Sequence, residues 1–380
     1  MNIGRRVFVA GSISAVAAPS IVRAQSGDIE IGATVPLTGP LAGSGQQYHN
    51  SLQMAQDDIN TAGGIKGRKI KIVFEDTQAS NSIAVNAFIK LVKDLNPPFI
   101  FMSSFATQNL ATEPEVAKAK IPTMYAGGAD AIHERKNPYM FRLRPYDTVT
   151  TTAMARTVIN RLKSKKPGLI FVQDDFGQGS ANIIEKMFKE AGVEVVAKEA
   201  FGARDNDMSA QLLNIKKAGA DAIVGFTYIR DGGLVISGRR SLGIDLPMMT
   251  SGATTLPATL ALLDPKDLEN LHSTTDAFLD ASEGPIVADY VERFKKRFNM
   301  NADPYGSCYY DGAMMLADAM RVAGTDREGI RLELAKISGR KGVTQTYKAD
   351  ANGNLAHATT VVKFKPGTKD MELVDKISLI

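Results

Sequence analysis

Apolar and polar residues alternate along this chain in two rhythms that take turns. Short, largely apolar runs read as strands: Ile29-Glu-Ile-Gly-Ala-Thr34, Lys69-Ile-Lys-Ile-Val-Phe-Glu75 and the run from Phe99 to Met102. Between them lie segments with helical spacing, such as Gln46 to Thr61 with Leu52, Ala55 and Ile59 on one face, then Ser82 to Asp94 and Thr107 to Lys120. Pro36-Leu-Thr-Gly-Pro-Leu-Ala-Gly-Ser-Gly45 reads as a glycine-rich loop, and Gly63-Gly64 ends the first helix. Strands alternating with helices in this way predict βαβ units on a parallel sheet, hence an α/β fold.

After Phe141-Arg-Leu-Arg-Pro145 the pattern starts afresh. Helices are predicted over Thr148 to Leu162, Gly179 to Ala191, Met208 to Ala218, Gly232 to Leu242 and Leu256 to Leu263. The strands between them fall at Gly168 to Gln173, Val193 to Glu199, Ala220 to Phe226, Pro247 to Thr250 and Leu271 to Thr275. Three further helices, Ile286 to Phe298, Gly312 to Val322 and Arg327 to Ile337, follow without strands, and the tail from Gly342 to Ile380 reads as a β meander. Two successive α/β blocks within 380 residues predict two lobes, because single cores stop growing near this length.

Two strand ends carry the candidate chemistry. Phe99-Ile-Phe-Met-Ser-Ser-Phe105 delivers Ser103 and Ser104 to the start of a helix, where unpaired N–H groups and the helix dipole favour an anion. The next strand runs into Ala126-Gly-Gly-Ala129, so Gly127 and Gly128 expose backbone. These crests either face one cleft and hold a small carboxylate, or Ser103 and Ser104 merely cap a helix. Gly43-Ser-Gly45 and Gly177-Gln-Gly179 open helices but do not complete a dinucleotide fingerprint, and no P-loop or nucleophile elbow occurs. His49, His133, His272 and His357 are far apart, so no metal site is expected. Asp174-Asp175 follows a strand and is placed either for acid–base chemistry or, as is commoner, to cap the next helix or lie on a cleft rim, and Asp350-Ala-Asn-Gly-Asn354 lacks the remaining spacing of a calcium loop. Neither an enzyme nor a cofactor is expected.

The opening Met1-Asn-Ile-Gly-Arg-Arg-Val-Phe-Val-Ala10 sets two arginines before an apolar segment, and Val22-Arg-Ala24 offers small residues for cleavage. That reads as an export signal over residues 1–24, with Arg5-Arg6-x-Phe8 pointing to the twin-arginine route, or else the general secretory one. The apolar segment is shorter than the roughly 20 residues of a membrane span. Removing residues 1–24 takes away three arginines and leaves 42 basic against 41 acidic residues, which calls for no nucleic-acid partner. Cys308 is the only cysteine, so no internal disulfide forms, and its setting predicts a packed thiol.

Taken in order, several landmarks make the chain resemble the exported solute-binding proteins of branched-chain amino acid ABC importers. They are Pro36-Leu-Thr-Gly-Pro-Leu-Ala42, Asn60-Thr-Ala-Gly-Gly-Ile65, Ser103-Ser104, Pro138-Tyr-Met-Phe-Arg142, Asp174-Asp-Phe-Gly177 and the stretch from Met208 to Gly219. The resemblance implies two Rossmann-like lobes joined by a three-crossover hinge, with the ligand cleft between them. It places lobe 1 over residues 28–145 and 276–341 and lobe 2 over 146–275 and 342–380, with crossovers near Pro145, Thr275 and Gly342. It further implies a monomeric periplasmic protein, with an inner-membrane permease as its partner and no membrane insertion of its own.

The same resemblance assigns the ligand carboxylate to Ser104 and the backbone from Gly127 to Ala129. It sets Phe176, Tyr228 and the crest Ser251-Gly-Ala-Thr-Thr255, including Ala253, around the ligand. Amino acid binders carry an acid for the α-ammonium on that last crest; here there is none, and Ala129 replaces a usual threonine. The expected ligand is therefore an amino acid-like acid lacking the α-amino group, aromatic or aliphatic, unless Asp130 or Asp276 supplies the missing charge. Arg230 either pairs with a second acid group or lies solvated on the rim. A ligand-presenting sensor shares all these features, and an exported hydrolase is the remaining alternative.

Overall fold

The computed structural model describes Met1 and residues 27–379, so the expected export signal lies, Met1 apart, outside the described residues. The first block runs β1 (Ile29–Val35), α1 (Ala42–Thr61), β2 (Ile70–Asp76), α2 (Asn81–Leu95), β3 (Ile100–Met102), α3 (Ala106–Ala119), β4 (Thr123–Tyr125), α4 (Asp130–Glu134) and β5 (Met140–Arg142). Its five strands pair in parallel in the order β2-β1-β3-β4-β5. Every residue of β1 except Glu30 is buried, as a strand covered by helices on both faces requires. Helix α1 begins inside the segment expected as loop. Gly45 permits this, since a Cβ there would lie 1.9 Å from the Pro36 carbonyl oxygen.

The second block contains α5 (Asp147–Asn160), β6 (Pro167–Val172), α6 (Asp175–Glu190), β7 (Ala197–Phe201), α7 (Ser209–Lys217), β8 (Ala222–Phe226), α8 (Ile229–Ser241), β9 (Met248–Thr250), α9 (Pro257–Leu260) and β10 (Leu271–Thr275). Strand β7 starts later than its sequence suggests. Gly192 is left-handed at φ 69°, and Val193 N–H returns to the Phe188 carbonyl, closing α6 with the first residues of the expected strand.

The chain then returns to the first lobe through α10 (Pro285–Phe298), α11 (Pro304–Ala323), α12 (Arg327–Ala335), β11 (Ser338–Lys341) and β12 (Thr346–Lys348). It ends in the second lobe with β13 (Ala358–Phe364) and β14 (Met371–Ser378), completing the sheet order β14-β13-β10-β9-β8-β6-β7. The final passage comes later than the expected position near Gly342. Tyr347, Leu355 and Ala356 are buried in the first core, together with Phe101 and Tyr309. The Arg142 and Leu355 N–H groups donate to the Gly353 and Arg142 carbonyls, so this stretch borders β5 before the chain crosses.

A cavity between the lobes

The end of β3 and the first turn of α3 separate the two serines. Ser103 Oγ donates to Gln108 Oε1 at 2.6 Å and is turned into the lobe, away from the cavity, correcting the expectation that both hydroxyls face a ligand. Ser104 Oγ instead meets the Tyr48 hydroxyl at 2.5 Å. Tyr48 is held in turn by Tyr309, stacked at 4.7 Å, whose own hydroxyl donates to the Met102 carbonyl. Burial pushes the Tyr48 hydroxyl far above its ordinary pKa, and the Asp303 charge adds to this, so it remains a neutral donor.

At the next crest the three residues also diverge. A Cβ on Gly127 would lie 2.2 Å from Asn109 Oδ1, so this glycine serves the packing of the crest on α3. Ala129 packs in the core beside Ile132 and likewise does not line the cavity. Gly128 does, and behind it stands Asp147, whose Oδ1 is 2.2 Å from where a Cβ would sit. The fully buried Arg142 ties this crest down: its guanidinium donates to the Gly128 and Ala129 carbonyls and to Tyr125 Oη.

Tyr228 and Ala253 come from the second lobe. Tyr228 precedes α8, donates through its hydroxyl to Asp174 Oδ2 at 2.9 Å, and lies 5.3 Å from the Phe176 ring. Asp174 also accepts from Gly177 N at 2.9 Å, so it caps α6 as expected. Ala253 sits in a short 3-10 turn, Gly252–Thr255, and its carbonyl accepts from Thr259. Across the gap, the ring of Phe105 reaches the ring of Tyr228 at 5.8 Å.

Ser104, Gly128, Phe176, Tyr228 and Ala253 line one cavity, narrow in this conformation at about 30 Å³. Leu41, Phe105, Leu256 and Tyr305 complete most of its apolar wall. Arg144 also lines it, a residue the sequence reading did not single out. It donates to Asp276 at 2.6 and 3.0 Å and to Tyr305 Oη at 3.1 Å. Burial opposes its charge, but Asp276 outweighs that and holds the guanidinium protonated. Two arginines within an apolar segment at a crossover, Arg142 and Arg144, were the signal available, since buried arginines need partners.

The other candidate charges are occupied. Asp276 is taken by Arg144, and Asp130 accepts from the Thr148 hydroxyl and N–H. Arg230 is exposed and donates to the Asp205 carbonyl, on the rim rather than in the cavity. Asp147 is pushed up to about 7 by burial and by repulsion from Asp130, against the pull of Arg144 and Arg142. Among the described residues, no group of three or more His, Cys, Asp or Glu side chains is placed to hold a metal ion.

This architecture recurs in known proteins. A Leu/Ile/Val-binding protein homolog 7 of Brucella abortus is 25% identical over 370 residues, covering 92% of this chain and 90% of its own. The branched-chain amino acid transporter substrate-binding protein LivJ of Streptococcus pneumoniae, solved with isoleucine, superposes with a TM-score of 0.84 at 24% identity, over 92% of this chain and 99% of that one. A solute-binding protein of an ABC transporter from R. palustris, solved with benzoate, gives a TM-score of 0.84 at 17% identity, over 93% and 97%. The sequence profile of the periplasmic binding protein family matches residues 28–369. With two lobes enclosing a cavity and a family match across nearly all of its described length, the chain belongs to the periplasmic binding protein family.

Proposed function

We propose that the protein is the extracytoplasmic substrate-binding component of an ABC importer of the branched-chain amino acid type. It captures a small carboxylate by closing its lobes and hands it to a permease in the inner membrane, without acting on it chemically. One observation carries this reading. A single cavity takes its wall from both lobes, with Ser104 and Gly128 on one side and Tyr228 and Ala253 on the other. A ligand touching both walls binds the closed form better than the open one, and that difference shifts the hinge. In this reading residues 28–145 and 276–356 move as one body against 146–275 and 357–379.

Of two solved relatives, one holds an amino acid, isoleucine, and the other an aromatic acid, benzoate. The crest Ser251 to Thr255 supplies no carboxylate here, which favours the second kind of ligand. A thermal-shift screen of the mature protein tests the reading, with amino acids set against benzoate and branched aliphatic acids. A ligand at about 100 times its dissociation constant adds about 2.7 kcal/mol, so one member of the panel should raise Tm visibly. No stabilisation by any small carboxylate would remove the reading.

A further inference from the structure

We infer that Arg144 is the charge partner of the ligand, so that the cavity selects monocarboxylates carrying no ammonium group. This rests on the capture of a small carboxylate proposed above and names the ligand class. Arg144 is the one cavity-lining side chain, among the described residues, that carries a charge at neutral pH. Asp276 takes two of its nitrogens, Nε and Nη2, and Tyr305 accepts from Nη2 while its ring lies 4.1 Å from the guanidinium carbon. These contacts fix the plane of the fork. The third nitrogen, Nη1, has no acceptor among the described residues and lies 3.6 Å from the point a Cβ on Gly128 would occupy.

The lining at this end of the cavity therefore offers N–H and O–H donors and no carboxylate. A carboxylate placed between Nη1 and Ser104 Oγ meets a cation and a hydroxyl. An ammonium placed there meets the same cation. The nearest carboxylates do not rescue it: Asp276 is spent on Arg144, Asp174 on Tyr228 and Gly177, and Asp147 stands behind Gly128 outside the lining. The rest of the wall is Leu41, Phe105, Phe176, Tyr228 and Leu256, which suits an aromatic or branched aliphatic body.

Calorimetric titration of the intact mature protein with benzoate, 4-methylpentanoate and L-leucine tests this, because 4-methylpentanoate is leucine without its amino group. One of the two acids should bind at least about 30-fold tighter than L-leucine. The double variant R144Q/D276N removes both charges at once, leaving neither buried alone. It should lose about 30-fold or more in affinity for that acid while keeping a cooperative melt. The comparison on the unaltered protein stands even if the variant fails to fold. L-leucine binding as tightly as the acids would overturn the inference and leave cleft capture standing. Acid affinity unchanged in a folded double variant would overturn the role of Arg144. Absence of heat with all three probes at millimolar concentration would overturn the ligand class, whereas only failure of the wider thermal screen removes the capture itself.

Discussion

Phe105 of the first lobe and Tyr228 of the second meet edge to face, with ring centroids 5.8 Å apart and planes inclined at 60°. Tyr228 is otherwise anchored within its own lobe, by Asp174 and Phe176. If the lobes open as proposed above, this contact exists only while they are shut. An aromatic pair contributes about 0.5–1.5 kcal/mol beyond area, so Phe105→Ala should weaken binding of 4-methylpentanoate or benzoate roughly 10-fold once burial is included. Phe105 is also part of the first lobe's core, so the unliganded melting temperature should fall as well, but the rise in Tm on adding the acid should shrink, as differential scanning calorimetry can check.

Gly128 is where backbone must approach both Asp147 and the cavity. A methyl group there would lie 2.2 Å from Asp147 Oδ1 and 3.6 Å from Arg144 Nη1. Gly128→Ala should therefore displace the crest and cost about 10-fold or more in acid affinity, by analogy with other overpacked sites. Gly179→Ala is the control: nothing lies within 4 Å of its Cβ position, and neither affinity nor Tm should fall. Titration calorimetry on the pair checks both.

Asp147 makes stability depend on pH. Its carboxyl is raised from 3.8 to about 7 by burial, with Asp130 adding repulsion. A raised folded-state pKa favours folding while the group is protonated in both states; that contribution is full below about pH 4 and is lost as pH rises through 7. Asp303, also raised to about 7 by burial, adds to the same window. Asp147→Asn should raise Tm by roughly 2–5 °C at about pH 8 and leave it little changed at about pH 4. A melting series over that range shows whether the slope flattens.

Arg142 holds the Gly128 crest from beneath. Arg142→Met would leave the Gly128 and Ala129 carbonyls and the Tyr125 hydroxyl without their buried donor. A loss of about 3–5 kcal/mol in unfolding free energy is expected, read from the urea midpoint.

The alternation of strands and helices is legible in the sequence because strands buried on both faces appear as short apolar runs. The pattern break at Pro145 falls between the last strand of the first sheet and the first strand of the second, and the break at Thr275 ends β10, after which the chain leaves the second sheet for α10. The last passage was not legible, because Tyr347, Leu355 and Ala356 look like any meander, and nothing local says which core they enter. At the site, Ser104, Gly128, Phe176, Tyr228 and Ala253 line one cavity, whereas Ser103, Gly127 and Ala129 serve packing. Adjacent residues leaving a strand point to opposite sides, so the choice between Ser103 and Ser104 depends on where β3 stops. Arg144 was missed because its partner Asp276 is 132 positions away.

A crystal structure of the mature protein with the carboxylic acid that stabilises it most tests the account most directly. The account predicts the lobes closed, with the ligand's carboxylate within hydrogen-bonding distance of Ser104 Oγ and Arg144 Nη1 and its apolar body against Tyr228 and Phe176. A ligand bound outside this cavity, or lobes that remain apart when the protein is saturated, would contradict it.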